Sequence, residues 1–157
     1  MKTYRKILFL IFIPIFIFSC GYQPMFKDLK NLNFVLKINN SSGNEKINRL
    51  IKSKLKGYSN QNDNENYKKY NVEFTSEYKK LIVAKDTTGS ATEYKISIKS
   101  KFKITSGELK KEFEYIESFN MKSFSDRIDE QDYEKNIQDS LVNIITKKLI
   151  QQLSQIK

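Results

Sequence analysis

Tyr94-Lys95-Ile96-Ser97-Ile98-Lys99-Ser100-Lys101-Phe102-Lys103-Ile104 decides the fold of this chain. Tyr94, Ile96, Ile98, Ser100, Phe102 and Ile104 take every second position, and the residues between them are Lys and Ser. A period of two is the period of a β-strand, whose successive side chains point to opposite faces. The stretch therefore reads as a strand with one buried and one wet face, as antiparallel sheets commonly have.

The neighbouring segments follow from it. Asp86-Thr87-Thr88-Gly89 on one side and Ser106-Gly107 on the other are turn chemistry. Upstream, Tyr70, Val72, Phe74, Ser76 and Tyr78 alternate with polar residues, which predicts a strand continuing to Val83 or Lys85. Downstream, Phe113, Tyr115 and Phe119 carry the alternation into a further strand. Three long antiparallel strands joined by tight turns form a meander.

The flanks are different in period. Leu32 to Ile38 alternates loosely and predicts a first strand, with Asn39 to Gly43 as a turn. Ser42-Gly43-Asn44-Glu45 has capping-box spacing. Ile47, Leu50, Ile51 and Leu55 then share one helical face, and Gly57 suits the position after a helix end. A helix over 43–56 is expected, followed by an Asn-rich loop from Ser59 to Asn66. At the other end Ser125 is expected to cap a helix. Asp126, Asp129 and Glu130 near its start are explained by capping and the helix dipole. Ile137, Leu141, Ile144, Ile145, Leu149, Leu153 and Ile156 supply its apolar stripe. The order β-α-β-β-β-α implies an α+β two-layer sandwich: a four-stranded, mainly antiparallel sheet with both helices on one face.

The opening of the chain is of another kind. Lys2, Arg5 and Lys6 precede an apolar run from Ile7 to Phe18 interrupted only by Pro14. Twelve residues would make a helix of roughly 18 Å, short of a hydrocarbon core of about 30 Å. The layout is that of an export signal. Ile17-Phe18-Ser19-Cys20-Gly21 closes the run with a small residue before the one cysteine of the chain. This resembles the lipobox of bacterial lipoproteins, although Phe18 stands where a small residue is usual. The expected organisation is a lipoprotein signal peptide at 1–19, a lipidated tether at 20–32 and one α+β domain at 33–157. The other reading is an ordinary signal or uncleaved anchor with an incidental cysteine.

Composition narrows the chemistry. The 157 residues contain no histidine, which removes the commonest general base and the usual zinc ligands. A single cysteine allows no disulfide framework. No phosphate loop, dinucleotide fingerprint or nucleophile–base pair is present, so neither an enzyme nor a cofactor is expected. The formal charge is +10. Removing 1–19, which hold three basic and no acidic residues, leaves +7, a balance suited to an anionic partner. An export signal argues against nucleic acid. Lys79, Lys80, Lys95, Lys99, Lys101 and Lys103 on the strands could meet as a cationic patch, or simply be a solvated face with edge-protecting lysines.

Four pieces in this order and spacing carry a resemblance: Cys20-Gly21-Tyr22-Gln23-Pro24-Met25-Phe26, Thr88-Gly89-Ser90-Ala91 leading to Tyr94, Ser118-Phe119-Asn120, and Asp132-Tyr133-Glu134. With the β-α-β-β-β-α pattern, the chain resembles the LPS-assembly lipoprotein LptE family in its alphaproteobacterial form, over nearly its whole length. Glu93 departs from the basic residue usual before Tyr94. The resemblance implies a non-enzymatic outer-membrane lipoprotein on the periplasmic face, anchored through Cys20. It implies a large β-barrel partner, LptD-like, which the protein plugs and helps to assemble. It also implies assistance in lipopolysaccharide export, with Lys85, Lys95, Lys99 and Lys101 as the lysines expected to meet lipopolysaccharide phosphates. A lipid-anchored binding module of another envelope transport system is the alternative.

Overall fold

The computed structural model describes residues 34–59 and 67–156. The expected signal peptide at 1–19, Cys20 and its flank, and most of the Asn-rich stretch lie outside the described residues. The order is β1 (Phe34–Gly43), α1 (Glu45–Leu55), β2 (Lys68–Lys85), β3 (Ala91–Ser106), β4 (Leu109–Lys122) and α2 (Arg127–Ser154). The four strands form one sheet in the order β1-β2-β3-β4. β2, β3 and β4 are the expected antiparallel meander. β1 runs parallel to β2, because α1 returns the chain before β2 starts.

The period of two is carried into the packing. Val72 faces Ile104, Phe74 faces Phe102, Ser76 faces Ser100 and Tyr78 faces Ile98 across β2 and β3. These side chains lie on the helix-side face: Tyr70, Val72, Phe74, Ile96, Ile98, Phe102 and Ile104 are all buried. Ile47, Ile51 and Leu55 close the core from α1, and Ile137, Leu141, Val142, Ile145, Leu149, Ile150 and Leu153 close it from α2. Full burial of such a side chain stabilises by about 1.5–3 kcal/mol. Lys54 Nζ meets Asp139 at 2.8 Å and ties the two helices together.

Several local expectations are corrected. Asn39 to Gly43 is strand, not turn: β1 continues through these polar residues, with a register shift between Ile38 and Asn40. The cap of α1 is Asn44, whose side chain accepts from Ile47 N–H at 3.1 Å. Ser42 instead bonds Thr75 across the strands at 2.8 Å, so no capping box forms. The helix starts two residues late because Gly43 is held in the sheet, in the left-handed region at φ +90°. A Cβ there would meet Ser76 O at 2.0 Å. Gly57 does not end the helix in a left-handed conformation; it sits in a 3-10 turn over Lys56–Tyr58. Asp126, not Ser125, caps α2, accepting from the N–H groups of Ile128 and Asp129. Ile144 is 40 % exposed and leaves the predicted stripe, while Val142 and Ile150 join it.

Candidate functional site

The face of the meander turned away from α1 and α2 is where β3 presents its alternate residues. Across it, Glu73, Lys103 and Glu112 form one row, Thr75, Lys101 and Glu114 the next, then Glu77, Lys99 and Ile116. Lys79, Ser97 and Ser118 follow, and then Leu81, Lys95 and Asn120. Strict alternation thus brings Lys95, Lys99 and Lys101 onto one surface, as their spacing in sequence requires.

Pairing divides that surface in two. Lys99 and Lys101 converge on one carboxylate, at 2.9 Å and 3.0 Å from Glu114, and Lys103 approaches Glu112 at 3.7 Å. The bond from Lys99, seconded by Lys101, holds the Glu114 carboxyl below the usual carboxylate range. Glu114 in turn raises Lys99. This half is a ladder of alternating sign beside a shallow depression of about 290 Å³, whose lining includes Asn40, Glu73, Lys101, Lys103, Glu112 and Glu114. Toward the β2–β3 turn, Lys95 and Lys79 make no ion pair among the described residues. They lie diagonally across the strands, surrounded by Ser97, Ser118 and Asn120. Lys85 is set apart from the other three. It pairs with Ala91 at the hairpin end, beyond two register shifts.

On the opposite face, at the same end, is a cluster that the sequence reading did not find. Lys80, expected among the lysines of the wet face, occupies an inward position of β2 instead, opposite Ile96 and two residues beyond Tyr78. Its Nζ meets Glu130 at 2.9 Å and Glu134 at 2.8 Å, and lies 4.2 Å above the Tyr94 ring. Tyr78 donates its hydroxyl to Glu134 at 2.5 Å, and Gln138 donates to the same carboxylate. Burial and then the Glu134 bond push the Tyr78 hydroxyl up to about 12. Burial works to raise Glu134, but the Lys80 and Tyr78 bonds outweigh it and hold the carboxyl low. Lys80 likewise holds Glu130 low. Glu130, expected only as a helix-start carboxylate, is also half of an ion pair. A signal for the cluster exists in the sequence: Lys80 continues the inward series from Tyr70, and Glu130 and Glu134 continue the apolar stripe of α2 backward in steps of three and four.

Neither arrangement holds a carboxyl raised toward neutral pH: Glu114, Glu130 and Glu134 are each held low by lysine. Among the described residues no group of side chains could hold a metal ion, and no helix is long and apolar enough to cross a membrane. What the surface offers is cations for an anionic group and, around the β2–β3 end, the exposed apolar side chains Leu81, Ile82, Val83 and Phe119.

No protein-family model and no curated protein matches the sequence. Solved structures do. Rare lipoprotein B from Shewanella oneidensis superposes with a TM-score of 0.53 at 12 % identity, covering 74 % of this chain and 94 % of that one. An uncharacterised lipoprotein B from Nitrosomonas europaea gives 0.52 at 9 % identity, covering 78 % and 86 %. At these identities the likeness is one of fold: the α+β sandwich described above is the fold of these lipoproteins.

Proposed function

We propose that this protein is an outer-membrane lipoprotein, held on the periplasmic face through lipid on Cys20. In this reading it plugs and helps to assemble the β-barrel that delivers lipopolysaccharide to the cell surface. The observation that carries the reading is the fold shared with rare lipoprotein B across nearly all of that chain. The lipobox-like Ile17-Phe18-Ser19-Cys20 and the charge of +7 after the signal support it. Two or three acyl chains on Cys20 would hold the protein firmly, since each buried CH₂ contributes about 0.8 kcal/mol.

The four candidate lysines would serve unequally. Lys95 is unengaged and can meet a phosphate directly, with Lys79 beside it. Lys99 and Lys101 must first give up Glu114. Lys85 would act alone at the hairpin end.

The decisive experiment is affinity purification of the tagged full chain from detergent-solubilised outer membranes. A large β-barrel protein should co-purify; its absence, or co-purification with inner-membrane components, sinks the reading. Cys20→Ala should abolish acyl labelling and processing, and labelled, cleaved product from that variant would refute the anchor.

A further inference from the structure

We infer that residues 127–136, nearly the first three turns of α2, form a lid closed by the Lys80–Glu130–Glu134–Tyr78 clasp and able to open while the rest of the helix stays packed. None of these ten residues is buried, and the core contacts of α2 begin at Ile137. In this segment only Glu130 and Glu134 turn partly inward, and both end on β2: Glu130 on Lys80, Glu134 on Lys80 and Tyr78. Two lesser ties complete the attachment. Phe124 N–H donates to Glu130 at 3.2 Å, and the Phe124 and Tyr133 rings lie 5.2 Å apart. From Ile137 onward the buried helix face is mainly aliphatic, with Gln138 and Thr146 among Ile137, Leu141, Val142, Ile145 and Leu149. The attachment of α2 therefore changes from apolar burial to a partly exposed ionic contact at one point in the helix.

Segments with few buried apolar contacts open locally at lower free energy than the core. Beneath the lid, on the helix-side face, Tyr94 stands between Ile82 and the fully buried Met121, one row from Phe119. Ile82 and Phe119 are already half exposed. Opening joins Tyr94 and Met121 to them as one apolar surface and frees Lys80 at its border. The device is a lid over an apolar surface at the hairpin end, and it holds whether or not the barrel reading does.

Hydrogen exchange on the full chain in detergent micelles tests it. Lys80→Met should accelerate the amides of residues 131–136 about tenfold or more and leave those of residues 141–153 unchanged, as expected for local rather than global opening. Lys80→Arg should restore most of the protection. Equal acceleration of both segments, or of neither, overturns the lid. A salt series on the unmodified protein gives an independent answer if the variant does not fold. Raising NaCl from about 0.01 M to about 1 M shrinks the Debye length from ~30 Å to ~3 Å and should speed residues 131–136 alone. No difference between the two segments refutes the proposal.

Discussion

The two faces of the β2–β3–β4 meander are built from the same three strands, residue by residue in alternation, and behave as different materials. The helix-side face is packed: Ile96, Ile98, Phe102 and Ile104 are sealed beneath α1 and α2. The open face is mostly Lys, Glu, Ser and Thr, with Ile116 and Leu81 exposed among them, and its charge pairing varies from row to row. Phe102 and Lys101 are adjacent in the chain yet have nothing in common energetically. One loses core contacts if truncated. The other loses a solvated ion pair, of a class contributing about 0–1 kcal/mol. The proposed binding would follow the same division, since the face that the fold does not need for its core is the one that carries Lys79, Lys95, Lys99 and Lys101.

The strongest way to break this contrast is at the inner face. Phe102→Ala should lower unfolding stability by about 3–5 kcal/mol, whereas Lys101→Ala should change it by less than about 0.5 kcal/mol. Urea titration of both variants checks this, and comparable losses would mean that the faces are not energetically distinct. Gly43→Ala comes next, at about 2–3 kcal/mol, the loss expected of a strained backbone position. Its Cβ would strike Ser76 O, and the left-handed φ suits glycine alone. The loss should appear as early melting and accelerated exchange at the β1–α1 junction.

Acid sharpens the contrast at the hairpin end. Glu130 and Glu134 titrate lower in the folded protein than unfolded glutamates, which titrate at about 4.3. Their stabilisation is therefore present above the unfolded value and lost as the pH falls through the folded one. Urea midpoints should drop on acidification from about pH 5, and Lys80→Met should flatten that dependence; an unchanged slope would remove the clasp from the account. The smallest expected stability effect is on the open face. Lys99→Glu with Lys101→Glu sets like charges beside Glu114 and should cost about 1 kcal/mol or less. Lys79→Glu with Lys95→Glu should reduce lipopolysaccharide capture more than that pair does. The reverse ranking would return binding to the paired rows.

Period-two alternation made the meander readable because it needs no knowledge of partners: every strand of it has one dry and one wet face. The apolar stripes of both helices were readable for the same reason at period 3.6. The caps were less so. Ser42 and Asn44 are both competent caps, and Ser125 and Asp126 likewise. Which one serves depends on where the preceding strand releases the chain. β1 extends to Gly43 because its polar residues pair with β2 in parallel, a partner 33 to 34 residues away whose register no local pattern specifies.

The sequence by itself determined the alternation, hence which lysines share a face and which side chains form the core. It also carries the lipobox-like end at Cys20 and the lack of histidine chemistry. Only the tertiary structure decided which lysines are free. Lys99 and Lys101 share Glu114, and Lys80 joins Glu130 and Glu134, because strand register and helix placement bring together charges 13 to 54 residues apart. A charge in sequence has a sign and a spacing; its pairing depends on distances that exist only after the chain has folded.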